Sequence, residues 1–215
     1  MKKHVFCIVL CLCLLLSVSA QAWEATGFYR RGTYGALETY QNIPFDYELG
    51  MYSQFIMVDD DTLDALWKEL DQNRKPGDDE VYDMRIWYSA DGRYQFEVQV
   101  KAPTYDSFGE ELISAPDYLS LVKADYPPES HVKMLHDGIL HKTPSGTMLE
   151  TALSYDVYDA DGNAQSVVFL YYDIYLDGVE YCFCIHAYDG DYTAAQALVD
   201  EVAQSVRLKA FSAVV

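Results

Sequence analysis

The sequence predicts an α+β domain built on an antiparallel sheet whose two faces are both covered. Three observations predict it. Five Asp-Gly dipeptides (Asp91-Gly92, Asp137-Gly138, Asp161-Gly162, Asp177-Gly178 and Asp189-Gly190) punctuate the chain, and the first four are flanked by strand-like runs. Asp-Gly tolerates the positive φ angles of tight hairpin turns. Such turns join antiparallel neighbours only. Three other stretches carry helical periodicity. Finally, the run Val167, Val168, Phe169, Leu170, Tyr171, Tyr172 and the positions Tyr181, Phe183 and Ile185 are apolar or aromatic without alternation. Half-buried strands alternate, so these strands need cover on each side.

Taken in order, Lys2, Lys3 and His4 precede an apolar run from Val5 to Leu16, and Ser17 to Ala22 ends in Ala20-Gln21-Ala22. That pattern reads as a signal peptide cleaved after Ala22. The apolar run is too short to span a bilayer, which takes about 20 residues. Residues 23–44 read as an N-terminal extension with a strand near Thr33 to Tyr40. Asp61 to Asp71 places Leu63, Leu66, Trp67 and Leu70 at helical spacing behind acidic residues. Gln72 to Glu80 is a polar loop. Val81 to Ser89 and Tyr94 to Lys101 form one hairpin, with Phe96, Val98 and Val100 on one face. A helix is expected over Ser114 to Ala124. Val132 to His136 and Ile139 to Lys142 read as a short second hairpin turning at Asp137-Gly138. Thr143-Pro144-Ser145-Gly146-Thr147 is a turn between strands, and Thr147 to Tyr158, Gln165 to Leu176 and Val179 to Tyr188 form a three-strand meander. Asp191 to Val206, with a capping Asp191 and the stripe Ala195, Leu198, Val199 and Val202, closes the chain as a helix.

Strands, helix, hairpin, helix, meander and a closing helix of the form Ala194-Ala195-Gln196-Ala197-Leu198-Val199-Asp200…Ser205-Val206-Arg207-Leu208 resemble the PsbP/Mog1-like group, as found in small exported bacterial proteins. The resemblance covers roughly residues 45–208 and rests on element order. It implies a single-domain α/β/α sandwich, with a central antiparallel sheet of about six or more strands and helices on both faces. It also implies a non-catalytic binding or assembly role, and it carries no functional residue onto this chain. The expected organisation is a signal peptide at 1–22, the extension at 23–44, the sandwich domain at 45–208 and a tail at 209–215.

Composition narrows the partners. The chain has 34 Asp+Glu against 15 Lys+Arg, a formal charge of −19, and losing Lys2 and Lys3 makes the mature protein more acidic still. Such a surface repels phosphate backbones and anionic lipids, so nucleic acid and membrane insertion are not expected. A basic protein or a cation-rich surface is the compatible partner. The 19 tyrosines fit half-buried strand positions, and equally an aromatic, acidic recognition surface.

Of five cysteines, Cys7, Cys11 and Cys13 leave with the signal. Cys182 and Cys184 are i and i+2 on one strand, with Cα atoms about 6.5–7 Å apart. That is at or beyond the reach of an unstrained disulfide, so no disulfide framework is expected. Cys182, Cys184 and His186 share a strand face with Glu180, but all three span about 13 Å and cannot bind one ion. His136 and His141 are expected diagonally on one hairpin face. A soft-metal site would need His136 or His141 to meet Cys182 or Cys184; otherwise the cysteines are small core residues.

Asp159-Ala160-Asp161-Gly162-Asn163 resembles a calcium loop, yet its first and twelfth positions would be Val157 and Val168, which offer no side-chain oxygen. It reads as a hairpin turn. Asp59-Asp60-Asp61 reads as a helix cap, with a cation site shared with Asp78, Asp79 or Glu80 as its alternative. There is no G-x-S-x-G, S-x-x-K or H-E-x-x-H motif. No catalytic residue and no cofactor are expected. The expected function is an exported non-catalytic binding or assembly module. The alternatives are a carboxylate-dependent extracellular hydrolase and a soft-metal-binding protein using Cys182 and Cys184 with the histidines.

Overall fold

A computed structural model of the chain describes residues 34–73, 81–102, 130–159, 161–176 and 178–209. The expected signal peptide, the loop carboxylates Asp78, Asp79 and Glu80, and the helix expected at Ser114 to Ala124 lie outside the described residues. Among the described residues, ten strands and two helices run in the order β1 (Leu37–Asn42), β2 (Tyr47–Tyr52), β3 (Phe55–Met57), α1 (Asp60–Asn73), β4 (Val81–Ser89), β5 (Tyr94–Lys101), β6 (Lys133–Thr143), β7 (Gly146–Tyr158), β8 (Ala164–Leu176), β9 (Val179–Ala187), α2 (Tyr192–Ser205) and β10 (Arg207–Leu208). Seven strands form one sheet in the order β3-β4-β5-β9-β8-β7-β6, and β1-β2-β10 form a second. Every pairing is antiparallel. The expected antiparallel sheet of six or more strands is therefore present, with seven.

The β4–β5 hairpin shows how the turn chemistry works. Gly92 takes φ +69° and donates its N–H to the Ser89 carbonyl at 2.9 Å. The Ser89 hydroxyl donates to Asp91 at 2.7 Å and accepts from the Tyr94 N–H at 2.9 Å. In the meander, Leu176 pairs with Val179 across a two-residue turn. The loop between β7 and β8 is built on Asp159, whose carboxylate accepts from the N–H groups of Asp161 and Asn163 and from the Asn163 amide.

Helix ends follow their caps. Asp59 accepts from the Thr62 N–H at 2.9 Å to start α1, and Asp191 accepts from the Ala194 N–H at 3.0 Å to start α2. The parity of the strands sets what each helix covers. Val98, Leu170, Tyr172, Phe183 and Ile185 cluster with Ala195, Leu198, Val199 and Val202 of α2, together with Tyr47, Leu49 and Met51 of β2. Trp87 of β4 joins this cluster, whereas its alternate neighbours Met84 and Ile86 pack on Leu63 and Leu66 of α1. A third cluster holds Leu153, Tyr155, Val167, Phe169, Cys182, Cys184 and Tyr188. Strand β1 begins at Leu37, later than the expected segment, ends two residues beyond it at Asn42, and pairs with β2 along its whole length.

One expectation is corrected. Val132 to His136 and Ile139 to Lys142 do not form a hairpin: β6 is continuous, and both halves pair with β7. The turn that joins β6 to β7 is Pro144-Ser145, with Thr143 paired to Gly146. Gly138 takes φ +81°, as an Asp-Gly turn would, but here that angle serves a β-bulge.

Candidate functional site

The bulge decides where two histidines point. His136 pairs with Ala152 and His141 with Met148, so five steps along β6 match four along β7. Residues five apart on a regular strand face opposite sides. The extra residue at Gly138 cancels that alternation and places both rings on the face that carries Glu150. His136 and His141 do share a face as expected, although the hairpin that motivated the expectation is absent.

Glu150 is fully buried and is the centre of the cluster. His136 Nε2 lies 2.8 Å from Oε1, and His141 Nε2 contacts Oε2 as an ion pair that is not aligned as a hydrogen bond. The Tyr192 hydroxyl donates to Oε1 at 3.0 Å, and Gln196 Nε2 reaches both oxygens at 3.2 and 3.3 Å. The Tyr172 hydroxyl stands between Glu150 Oε2, at 3.0 Å, and Asp200. Burial alone would raise the Glu150 carboxyl, but the bonds from Tyr172 and Tyr192 and the two histidines outweigh it and hold it below the usual range. The carboxylate thus occupies the space between the histidines where a cation would bind. It ties edge strand β6 to β7, β8 and α2.

Gly138 is the weak point of that arrangement. An alanine there must hold a left-handed conformation at a cost of about 1–2 kcal/mol. Gly138→Ala is expected to lower the unfolding free energy by that amount, measured by urea unfolding followed by far-UV circular dichroism. A change below about 0.5 kcal/mol would contradict the bulge.

Cys182 and Cys184 are both free and buried, with sulphurs 3.2 Å apart. They lie on the opposite parity of the sheet from His136 and His141, and β8 and β7 separate β9 from β6. The structure therefore brings together the two histidines, and separately the two cysteines, but not one pair with the other. Among the described residues no three His, Cys, Asp or Glu side chains converge on a point that would hold a metal ion. His186, on the cysteine face, is stacked on Phe169 at 4.2 Å between ring centroids, and burial pushes its imidazole down to about 3.

Register adds partners that the strand alone does not show. Asp173 is opposite Cys182 on β8, and Glu97 is opposite Cys184 on β5. The Glu97 carboxylate accepts from Gln95 and Gln99, the latter at 3.0 Å. Lys101 pairs with Glu180 at 3.0 Å. Asp173 Oδ1 and His186 Nε2 are buried with no hydrogen-bond partner. Among the described residues no helix is long and apolar enough to cross a membrane.

No family model matches the chain, and no curated protein does. Solved structures do. The solution structure of cyanobacterial PsbP (CyanoP) from Synechocystis sp. PCC 6803 aligns with a TM-score of 0.50 at 14% identity, covering 85% of this chain and 98% of that one. The Ran-binding protein Mog1p of Saccharomyces cerevisiae aligns with a TM-score of 0.47 at 12% identity, covering 82% and 97%. At these identities the likeness concerns the fold: the chain has the PsbP-like fold that its element order resembles.

Proposed function

We propose that the chain is an exported binding or assembly module that takes a basic protein partner on its acidic exterior. In this reading the signal peptide is cleaved after Ala22, residues 45–208 form the domain, and the sheet is enclosed on both broad faces. The opposite parity of the α1 and α2 contacts supports that enclosure. The observation that carries the reading is the β3 edge. Ile56 and Met57 are 66% and 43% exposed there, and Asp59, Asp60, Asp61 and Asp64 stand exposed directly after them. Exposed apolar side chains on both faces of an edge strand, followed by carboxylates on a chain of formal charge −19, complement a partner with an apolar anchor and a basic rim.

Capture of such a partner from the native cell envelope is expected to weaken as salt rises, because exposed charge pairs are screened within about 10 Å at 0.1 M. Asp61→Lys/Asp64→Lys is expected to weaken it by about tenfold, each reversal costing up to about 1 kcal/mol. Capture that is indifferent to salt and to these reversals would contradict the reading.

A further inference from the structure

The partner that the β3 edge asks for has a counterpart on the chain itself. Among the described residues the seven-stranded sheet ends in β3 on one side and in β6 on the other. Six strand spacings of about 4.8 Å hold these edges roughly 29 Å apart, so one copy cannot bring its own two together. On β6, Leu135, Ile139 and Leu140 are 43%, 42% and 55% exposed. Lys133 opens the strand and Lys142 stands one residue before its end; both are exposed. Among the described residues no ion pair engages either lysine. An exposed apolar stretch between two lysines is the complement of Ile56 and Met57 with their carboxylates.

We propose that the β3 edge of one copy docks on the β6 edge of the next, so that the basic partner is a second copy of this chain. The inference rests on the reading of the β3 edge given above. Charge selects the unlike edges. Two β3 edges would set Asp59, Asp60, Asp61 and Asp64 against their own kind, and two β6 edges would set lysine against lysine. Only β3 against β6 brings opposite signs together.

Sheet geometry agrees. Seven strands in which every neighbour is antiparallel leave β3 and β6 running in the same direction. A copy set beside another without turning over therefore brings the two edges together in parallel. Met57 pairs with Trp87, which belongs to the core that α2 covers, and Ile56 stands on the opposite face. On β6, Ile139 pairs with Glu150 on the α2 face, and Leu140 pairs with Leu149 on the other. The parallel approach thus puts Met57 on the face of Ile139 and Ile56 on the face of Leu140. It also puts opposite charges at one end, since Asp59 to Asp64 follow Met57 and Lys142 follows Leu140.

Side chains make the contact. Strand β3 has three residues, and irregularities at Met134/His136 and Asp137/Ile139 interrupt β6, so neither edge is a template for a long ladder. So small a patch falls short of the roughly 800 Å² per partner of a stable interface, and the association is weak. Unlike edges joined head to tail leave one of each free, so growth passes the dimer toward a ring or a filament.

The test is sedimentation velocity of the whole mature chain up to about 1 mM, a range that reads weak dissociation constants. The mass should rise past the dimer at about 0.01 M salt. It should return to the monomer at about 1 M, where the screening length falls from about 30 Å to about 3 Å. Ile56→Ser/Met57→Ser and Leu140→Ser/Lys142→Glu change exposed positions only, and each should weaken association about tenfold. Mixed, the two variants should form a complex that stops at two, because one keeps its β6 edge and the other its β3 edge. Asp61→Lys/Asp64→Lys should also weaken association about tenfold, and adding Lys142→Glu to the same chain should restore it. A monomer at every concentration, association indifferent to salt, or variants that neither complement nor rescue would each overturn the proposal. Envelope capture that depends on Asp61 and Asp64 while the purified chain stays monomeric would assign the β3 edge to a different basic protein, overturning this inference and leaving the reading beneath it intact. Capture and self-association that both ignore those reversals would remove the two together.

Discussion

Replacing Glu150 by leucine is expected to destabilise the protein by about 3–5 kcal/mol, the cost of breaking a buried charge pair by removing one partner. The loss is large because one carboxylate serves His136, His141, Tyr172, Tyr192 and Gln196. Leucine would leave the Tyr172, Tyr192 and Gln196 donors without their shared acceptor and both histidines without their ion-pair partner, and these groups come from three separate elements. Glu150→Gln keeps two heteroatoms but turns one acceptor into a donor that faces donors. A cost of about 1–3 kcal/mol follows from one unsatisfied group. The sign of the pH effect is fixed by direction. Glu150 is held below its ordinary range when folded, so its contribution is complete above the unfolded value and disappears as pH falls through the folded one. Glu150→Gln should therefore remove part of the acid limb of the stability curve. Urea unfolding at pH 7 and pH 3.5 measures both effects; a leucine variant within 1 kcal/mol of the wild type would refute the hub.

The second large effect is a pair of opposed titrations on the cysteine face. His186 drops from 6.5 to about 3 on burial, so its stability is complete above 6.5 and declines as pH falls toward 3. Asp173 rises from 3.8 to about 7, so its stability is complete below 3.8 and is lost as pH rises through 7. Each unit corresponds to about 1.4 kcal/mol, and between pH 4 and 6.5 the two slopes nearly cancel. Asp173→Asn removes one of them. Relative to the wild type, its stability is expected to fall by about 2 kcal/mol between pH 6.5 and pH 5. His186→Phe, which preserves the stack on Phe169, should show the reverse slope, gaining about 2 kcal/mol at pH 5 relative to the wild type. Urea unfolding at pH 5, 6.5 and 8 reads these slopes. Parallel profiles for the wild type and Asp173→Asn would contradict the burial of that carboxyl as an acid.

Much of the fold was legible because local chemistry and long-range pairing agree. Asp91-Gly92 sits between runs of matched length, and the β4 and β5 bounds match the expected Val81–Ser89 and Tyr94–Lys101. Strands β8 and β9 are apolar on both parities and are buried on both. Helix α2 was readable from Asp191 and its apolar stripe. Asp137-Gly138 misled because a hairpin turn and a bulge ask for the same positive φ. The distinguishing signal lay a few residues on: Pro144-Ser145 supplies the actual turn, which leaves His136 to Lys142 as one strand with β7 as its partner.

The site was half legible. His136 and His141 stand out as chemistry-bearing residues, whereas Glu150 was missed among so many acids. Its signal is its position on β7, inward in parity with Met148 and Ala152, where a carboxylate must find buried donors. Asp173 was within reach as well. A two-residue turn between Leu176 and Val179 fixes the register, and counting back three pairs puts Asp173 opposite Cys182. Tyr192 and Gln196 lie beyond such counting, because they reach Glu150 only once α2 has docked on the sheet.

Nuclear Overhauser contacts across β6 test most directly whether one inserted glycine aligns two imidazoles on a single buried acid. Backbone proximity of His136 to Ala152 and of His141 to Met148, with both rings near Glu150, is the predicted result. Cross-strand contacts joining His136 to Ile139, as the two ends of a tight turn, would contradict it.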